Sequence, residues 1–151
     1  MSDMVEALDA LVLSALQRRP GATVFILPRA DGQYSNHATD TVALLEETGV
    51  VVDYATDPMA TGVHAEKSAD LILPPLLVIF SDAKALWSAI SGVLYVIRWF
   101  SDHRSNHRVS IDVTLQQGSD GSSRRTVGIK GATADEAERL LRAAGRIRPP
   151  K

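Results

Sequence analysis

The chain has 151 residues, of which 45% are hydrophobic and 23% charged, and it contains no cysteine. This balance is that of an ordinary soluble globular domain with one buried core, and it excludes wholesale disorder and fibrous repeats. The lack of cysteine excludes disulfides, thiolate metal sites and thiol nucleophiles.

The formal net charge of −2 conceals an uneven distribution along the chain. Residues 1–97 carry five Lys and Arg against twelve Asp and Glu, whereas residues 98–151 carry eleven against six. A basic C-terminal third is typical of nucleic-acid contact, of an acidic protein partner, or of two faces of one fold that neutralise each other. Because the cations are scattered along this third, the last interpretation is favoured.

The beginning of the chain lacks the features of an export signal. It carries Asp3, Glu6 and Asp9 where such a signal would carry basic residues. We therefore expect a cytoplasmic protein.

The N-terminal half predicts alternating helices and strands. Helical spacing of apolar residues, short runs of β-forming residues and a glycine at position 49 after the second helix indicate the boundaries. Because the second helix lies between the two strands, the order indicates a βαβ crossover. The predicted elements are a helix over 3–18, a strand over 22–27, a helix over 39–48 and a strand over 50–54.

A long loop and a proline-interrupted apolar run follow. Residues 55–70 show no sustained period and predict a loop longer than most compact domains carry. In the run 71–80, Pro74 and Pro75 remove two backbone donors, so we expect the strand to begin near Leu76.

The most informative predicted element is a helix over residues 83–100, which is apolar around nearly its whole circumference. Two serines, a glycine and the flanking charges of Lys84 and Arg98 interrupt the apolar run, so it does not predict a membrane span. Since one buried face cannot cover so many apolar side chains, the helix is either central in the fold or binds a partner. The aromatic residues expected at such an interface are Trp87, Tyr95, Trp99 and Phe100.

The C-terminal part predicts a strand over 109–115 with one solvent-facing side, a polar turn, a strand over 126–130 and a last helix. Thr133 and Glu136 have the spacing of a capping box for that helix. The fold class is therefore α/β: one domain over 1–145 with a mixed sheet of about five strands packed by helices. Its C-terminal order is β-α-β-β-α with an antiparallel hairpin, and we expect residues 146–151 to form a basic flexible tail.

Candidate ligand residues follow the first strand, because ligands of parallel α/β sheets bind beyond the carboxyl ends of the strands. No glycine-rich phosphate loop and no GxSxG elbow is present, so we expect no cofactor and no catalytic residues. His103 and His107 share a helical face but have no third ligand nearby, so we expect no metal site. The possible ligand residues are Asp31, Asn36, His37 and Asp40.

Basic residues of the C-terminal third are candidate anion contacts if the fold brings them together on the hairpin side. They lack the interleaved aromatic residues typical of single-stranded nucleic-acid binding, so the pattern does not favour nucleic acid as a partner. The candidates are Arg104, Arg108, Arg124 and Arg125.

Residues 84–141, about sixty in all, contain the following predicted elements in order: a helix with Leu and Trp, a basic helix end, an alternating strand, a polar turn and a last helix. This arrangement resembles the C-terminal part of the actinobacterial effector-associated constant component domains. The glycine- and threonine-rich helix entry of that family is replaced here by Ser-Asp-Ala-Lys at 81–84. The resemblance rests on Leu86, Trp99, Arg104, Arg108, the alternation from Val109 to Leu115, Gly121 and residues 134–141.

The resemblance implies a non-catalytic module that accompanies effectors in a prokaryotic conflict or signalling system and works by protein–protein contact. The first functional hypothesis is therefore a self-associating interaction or adaptor domain, with itself or another protein as partner and no membrane contact. A second hypothesis is a small-ligand or nucleotide sensor, or an enzyme, that uses the loops 29–40 and 55–70. Nucleic-acid binding through the basic third is the remaining alternative.

Overall fold

The structure is a computed structural model that describes residues 2–19, 21–29, 32–58, 63–64, 71–103, 108–118 and 123–145. These residues form a mixed sheet with helices on both faces. The helices are α1 (Ser2–Arg18), α2 (Ala38–Glu47), α3 (Ala83–Asp102) and α4 (Ala134–Gly145). The strands are β1 (Val24–Ile26), β2 (Tyr34–Ser35), β3 (Val52–Tyr54), β4 (Val63–His64), β5 (Leu71–Ile72), β6 (Leu76–Phe80), β7 (Val109–Gln117) and β8 (Ser123–Ala132).

The main sheet has the order β3-β1-β6-β7-β8, and β5 precedes β6 along the same edge of β7. The pairs β1/β3 and β6/β7 are parallel, whereas β1/β6 and β7/β8 are antiparallel. The predicted α/β class, the mixed sheet of about five strands and the C-terminal β-α-β-β-α order with its hairpin are confirmed. The predicted crossover from β1 through α2 to β3 is present as well.

Three helices cover one face of the sheet. The buried side chains of α2, α3 and α4 form one cluster with every second residue of β1, β6 and β7. α1 covers part of the opposite face, where Leu11, Val12 and Leu16 pack near Phe25 and Leu77. Because α3 lies between α2 and α4, it contacts the sheet and both neighbouring helices.

Local signals account for several helix boundaries. Gly49 follows α2 with a φ of 87°, the left-handed conformation that favours glycine after a helix. Asp82 caps α3, and its carboxylate accepts a hydrogen bond of 2.8 Å from the Ala85 N–H. The predicted capping box of α4 is present, since Glu136 Oε1 accepts from the Thr133 N–H and Thr133 Oγ1 from the Glu136 N–H.

Several details differ from the sequence-based expectations. The two-residue strands β2 and β4 pair in parallel within segments that were expected to be turn and loop, and β5 forms before the two prolines. α3 extends two residues beyond the predicted end. The side of β7 that was expected to face solvent buries Thr114 and Gln116, because α1 and β8 cover that end of the strand. Most of the predicted loop 55–70 and the tail 146–151 lie outside the described residues.

Candidate functional site

The solvent-facing side of α3 carries six exposed residues at alternating spacings of four and three, so they share one side of the helix. We call them the outer stripe. Tyr95 is its large apolar member, with 41% of its surface exposed, and its hydroxyl donates to Glu47 Oε2 at the end of α2. The outer stripe consists of Lys84, Ser88, Ser91, Tyr95, Arg98 and Asp102.

The four aromatic residues predicted for an interface occupy different environments. Phe100 is only 4% exposed and lies in the chain's own core, so its assignment to an interface is corrected. Trp99 is half-buried beside the outer stripe, edge-on to Phe100 and stacked on His103 at 4.1 Å between ring centroids. Trp87, also half-buried, packs near Gly145 at the end of α4. Most of the apolar circumference of α3 is therefore covered by the sheet, α2 and α4.

A shallow depression of about 600 Å³ lies on the outer side of α3. Small residues, Ser88, Ser91 and Gly92, contribute to it between Trp87 and Tyr95. Thr48, after the end of α2, also lines it. The structure thus joins two of the four predicted interface residues, Trp87 and Tyr95, around one concave surface.

Ion pairs flank the C-terminal half of the outer stripe. Arg98 donates to Asp135 and Glu138 of α4, and Arg142 donates to the other oxygen of Glu138. The hydrogen bond from Arg98, and then that from Arg142, lower the pKa of the Glu138 carboxyl below its ordinary value. This network attaches α4 to α3 and holds the side chain of Arg98, a member of the outer stripe, against α4.

Of the ligand residues predicted after β1, the three that the structure describes occupy different environments. Asn36 and Asp40 are exposed near the start of α2, whereas the His37 ring lies edge-on to Phe100 with 5.3 Å between centroids. None of these three lines the depression on α3. Asp31 lies outside the described residues.

Of the predicted anion contacts, the three that the structure describes do not converge. Arg124 is held by Asp9 of α1 at 2.7 Å and by Gln116 at 2.9 Å. Its neighbour Arg125 points to the opposite face of the sheet, since successive side chains of a strand alternate. Arg108 lies at the other end of β7, where its guanidinium donates to the Gly131 carbonyl. Arg104 is outside the described ranges.

The described ranges contain no group of three or more His, Asp or Glu side chains that could hold a metal ion. Of the two histidines considered for a metal, His103 is described and His107 is not. The helices in these ranges include none with the length and hydrophobicity that a bilayer crossing requires.

Comparison with known proteins gives no match. No family model, no curated protein and no solved structure is similar to this chain. The resemblance to effector-associated constant component domains therefore stays a prediction.

Proposed function

We propose that the chain is a protein-interaction module that self-associates through the outer stripe of α3. Two copies pack their α3 helices antiparallel across a twofold axis. The observation that carries this proposal is the order of charge and size along the stripe, which is complementary to its own reverse.

Successive residues of the outer stripe are four, three, four, three and four positions apart, and this series is the same in both directions along the helix. A twofold axis near position 93 pairs the first residue of the stripe in one copy with the last residue of the stripe in the other. It likewise pairs the second with the fifth and the third with the fourth. Lys84 then meets Asp102 of the second copy, an attractive pair of opposite charges. Such a contact occurs twice in an isologous dimer, because each copy presents the same surface.

The same axis pairs Tyr95, the largest residue of the stripe, with Ser91 of the second copy, one of the smallest. The depression beside Ser91 offers space for that aromatic ring, with Trp87 at its border. Tyr and Trp are the residue types that most often dominate the energy of an interface, especially when they fill a concave surface. Shape and charge therefore favour the same antiparallel arrangement.

The role that the family resemblance implies belongs to this proposal. A module that accompanies effectors in a conflict or signalling system would, as a dimer, bring the effectors that it accompanies together in pairs. The outer stripe is then the surface that sets how many effectors are brought together.

A charge exchange tests the proposal by sedimentation equilibrium over a range of protein concentrations. Lys84→Asp and Asp102→Lys each create two like-charge contacts per dimer, so we expect either variant to weaken association about tenfold. The double variant restores opposite charges and should recover the wild-type dissociation constant. Neither change harms α3, since Asp near the start of a helix and Lys near its end are favoured by the helix dipole.

Tyr95→Ala is expected to weaken the dimer more than either charge variant, because it removes the ring that fills the depression. Leu13→Ala is the matched control: Leu13 is 60% exposed on α1, away from the stripe, and its loss should leave association unchanged. A wild-type chain that stays monomeric at millimolar concentration, or a double charge variant that associates no better than the single ones, would overturn the proposal.

A further inference from the structure

A second concave surface lies at the end of the sheet where β1 ends and β6 begins. It has a volume of about 450 Å³, within the range of roughly 300–1,000 Å³ that small-molecule sites occupy. Its apolar lining includes Ile72, Pro74 and Pro75 from the segment before β6. Its polar lining comprises Arg29, Ser35, Ser110, Asp112 and Lys130.

Two irregularities of the sheet meet at this groove, one on each side of β7. Between Leu71 and Leu76 the chain advances by five residues, whereas the part of β7 that pairs with these two residues advances by only four. One extra residue therefore forms a bulge at the prolines. On the other side of β7, β8 advances by three residues where β7 advances by two, so β8 contains a bulge as well. Gly131 adopts a φ of 56° there, and its N–H donates to Ser110 Oγ. Bulges of this kind redirect side chains and are frequent beside binding sites.

Two of the charged groups that line the groove, those of Asp112 and Lys130, have unused binding capacity. Within the described residues, the side chains of Asp112 and Lys130 form no hydrogen bond and no ion pair. Gly128 stands opposite Asp112, and a Cβ at that position would lie 3.4 Å from Asp112 Oδ1. The missing side chain thus leaves the carboxylate open on the side of β8.

A carboxylate and an ammonium group therefore border one groove from neighbouring strands. Gly128 pairs with Asp112, and Lys130 lies two residues further along β8, at the start of its bulge, so Lys130 is a diagonal neighbour of Asp112. A free amino acid carries both charges on one carbon and a short peptide carries them at its two ends, so either ligand can bind both groups through hydrogen bonds of about 3 Å each. Arg29 adds a second positive charge on the side of β1.

We propose that this groove binds a free amino acid or short peptide with apolar side chains. The ligand carboxylate binds Lys130, the ligand ammonium donates to Asp112, and the apolar side chain packs on Ile72 and the two prolines. The opposite charges select a zwitterion over a simple anion or cation, because either of these would leave one charged group of the groove without a partner. This site is independent of the dimer surface on α3.

Isothermal titration calorimetry with L-leucine, L-phenylalanine and L-leucyl-L-leucine tests the proposal. N-acetyl-leucine lacks the ammonium and leucinamide lacks the carboxylate, so we expect each to bind at least about tenfold more weakly than leucine. A stronger response to the dipeptide than to leucine identifies peptides as the ligand within this class, and the reverse identifies free amino acids.

Variants locate the bound molecule. Asp112→Asn and Lys130→Gln should each weaken leucine or dipeptide binding about tenfold or more. Their matched controls are Asp40→Asn, a carboxylate of the other candidate ligand region, and Arg125→Gln, a cation on the opposite side of β8. Both controls should bind as the wild type does. Circular dichroism verifies folding, which we expect in every variant because all four side chains are exposed.

Three outcomes overturn the proposal. The first is the absence of binding by all three zwitterions at millimolar concentration. The second is N-acetyl-leucine binding as tightly as leucine, which would show a simple anion site. The third is loss of binding in Asp40→Asn with retention in Asp112→Asn, which would place the ligand at the start of α2.

Discussion

The two faces of the sheet are covered in different ways. On one face α2, α3 and α4 meet β1, β6, β7 and β8, and their buried side chains form one continuous apolar cluster. On the other face, among the residues that the structure describes, a single helix, α1, covers residues of β1 and β6. One helix is too narrow to cover five strands, so the rest of that face carries polar side chains, some of which pair with one another, such as Thr114 with Thr126 at 3.0 Å.

Polar contacts also attach α1 at its margins. Ser14 Oγ donates to the Ala55 carbonyl at 2.8 Å, and Arg18 Nε donates to the Tyr54 carbonyl at 3.0 Å. On the side of β8, Arg124 bridges Asp9 and Gln116. The comparison indicates that the three-helix face is fixed by packing, whereas the α1 face combines a small apolar cluster with polar attachments.

Truncation of two adjacent leucines gives the largest expected effect and tests this comparison directly. Leu76 and Leu77 are both fully buried on β6, but Leu76 packs in the three-helix cluster and Leu77 beneath α1. Leu76→Ala should lower the free energy of unfolding by about 4 kcal/mol, because tightly packed neighbours cannot collapse into the cavity. Leu77→Ala should cost about 2–3 kcal/mol, since a single helix can shift toward the sheet.

Urea denaturation at neutral pH measures both values, and the denaturant slope verifies that the two variants unfold in the same way. Each leucine serves as the control for the other, because residue type, strand and exposure are the same. If Leu77→Ala proved as costly as Leu76→Ala, the α1 face would be as tightly packed as the three-helix face and the comparison would fail.

The polar attachment of α1 should contribute less than either leucine. Arg124 is largely buried, with 17% of its side chain exposed, and it donates to the Oε1 atom of Gln116, a residue that is itself fully buried. Arg124→Met leaves that oxygen without a partner, so we expect a loss of about 1–2 kcal/mol in urea denaturation. Asp9→Ala removes an ion pair whose carboxylate is 59% exposed and should cost less than about 1 kcal/mol.

A double variant, Arg124→Met with Asp9→Ala, separates the two contributions. Its loss should equal that of Arg124→Met alone, because the ion pair is already absent. An Asp9→Ala loss that matched or exceeded the Arg124→Met loss would show that the ion pair, and not the buried amide, accounts for the attachment.

The sequence predicted the element order well because helix and strand periods extend over many residues. It could not predict what covers α3. The period of a helix shows how many of its faces are apolar, but not whether its own chain or a partner covers them. Here the cover is internal, and Gly92 permits it: a Cβ there would lie 2.8 Å from Val50 Cγ2. A glycine inside a strongly apolar helix was the available signal of this close approach.

The groove was beyond sequence reasoning for a different reason. It depends on the register of β5, β6 and β8 along β7, and β5, a strand of two residues, has no period that fixes its register. Pro74, Pro75 and Gly131 mark the two bulges in the sequence, but only the pairing brings them to the same level of the sheet. The ligand residues predicted after β1 were chosen from one loop, whereas the groove draws on β5 through β8 as well.

The smallest expected effect concerns pH and the ion pairs between α3 and α4. Arg98 and Arg142 lower the pKa of Glu138, so its ionised form stabilises the fold. This stability is fully present above the unfolded-state pKa of about 4.3 and is lost as the pH falls through the lower folded-state value. Glu138→Gln should therefore be less stable than the wild type at pH 7, and the difference should shrink below about pH 4.

Urea midpoints of the two proteins at pH 7 and pH 3 measure this change. Glu46→Gln is the matched control, since Glu46 is an exposed helical carboxylate of α2 with no ion pair in the described part of the chain. Its midpoint should follow the wild type at both pH values. A Glu138→Gln deficit that is the same at pH 3 as at pH 7 would show that the loss is one of packing. Packing alone would then stabilise the three-helix face, even where α3 and α4 form ion pairs. The difference from the α1 face, which polar contacts help to attach, would be larger.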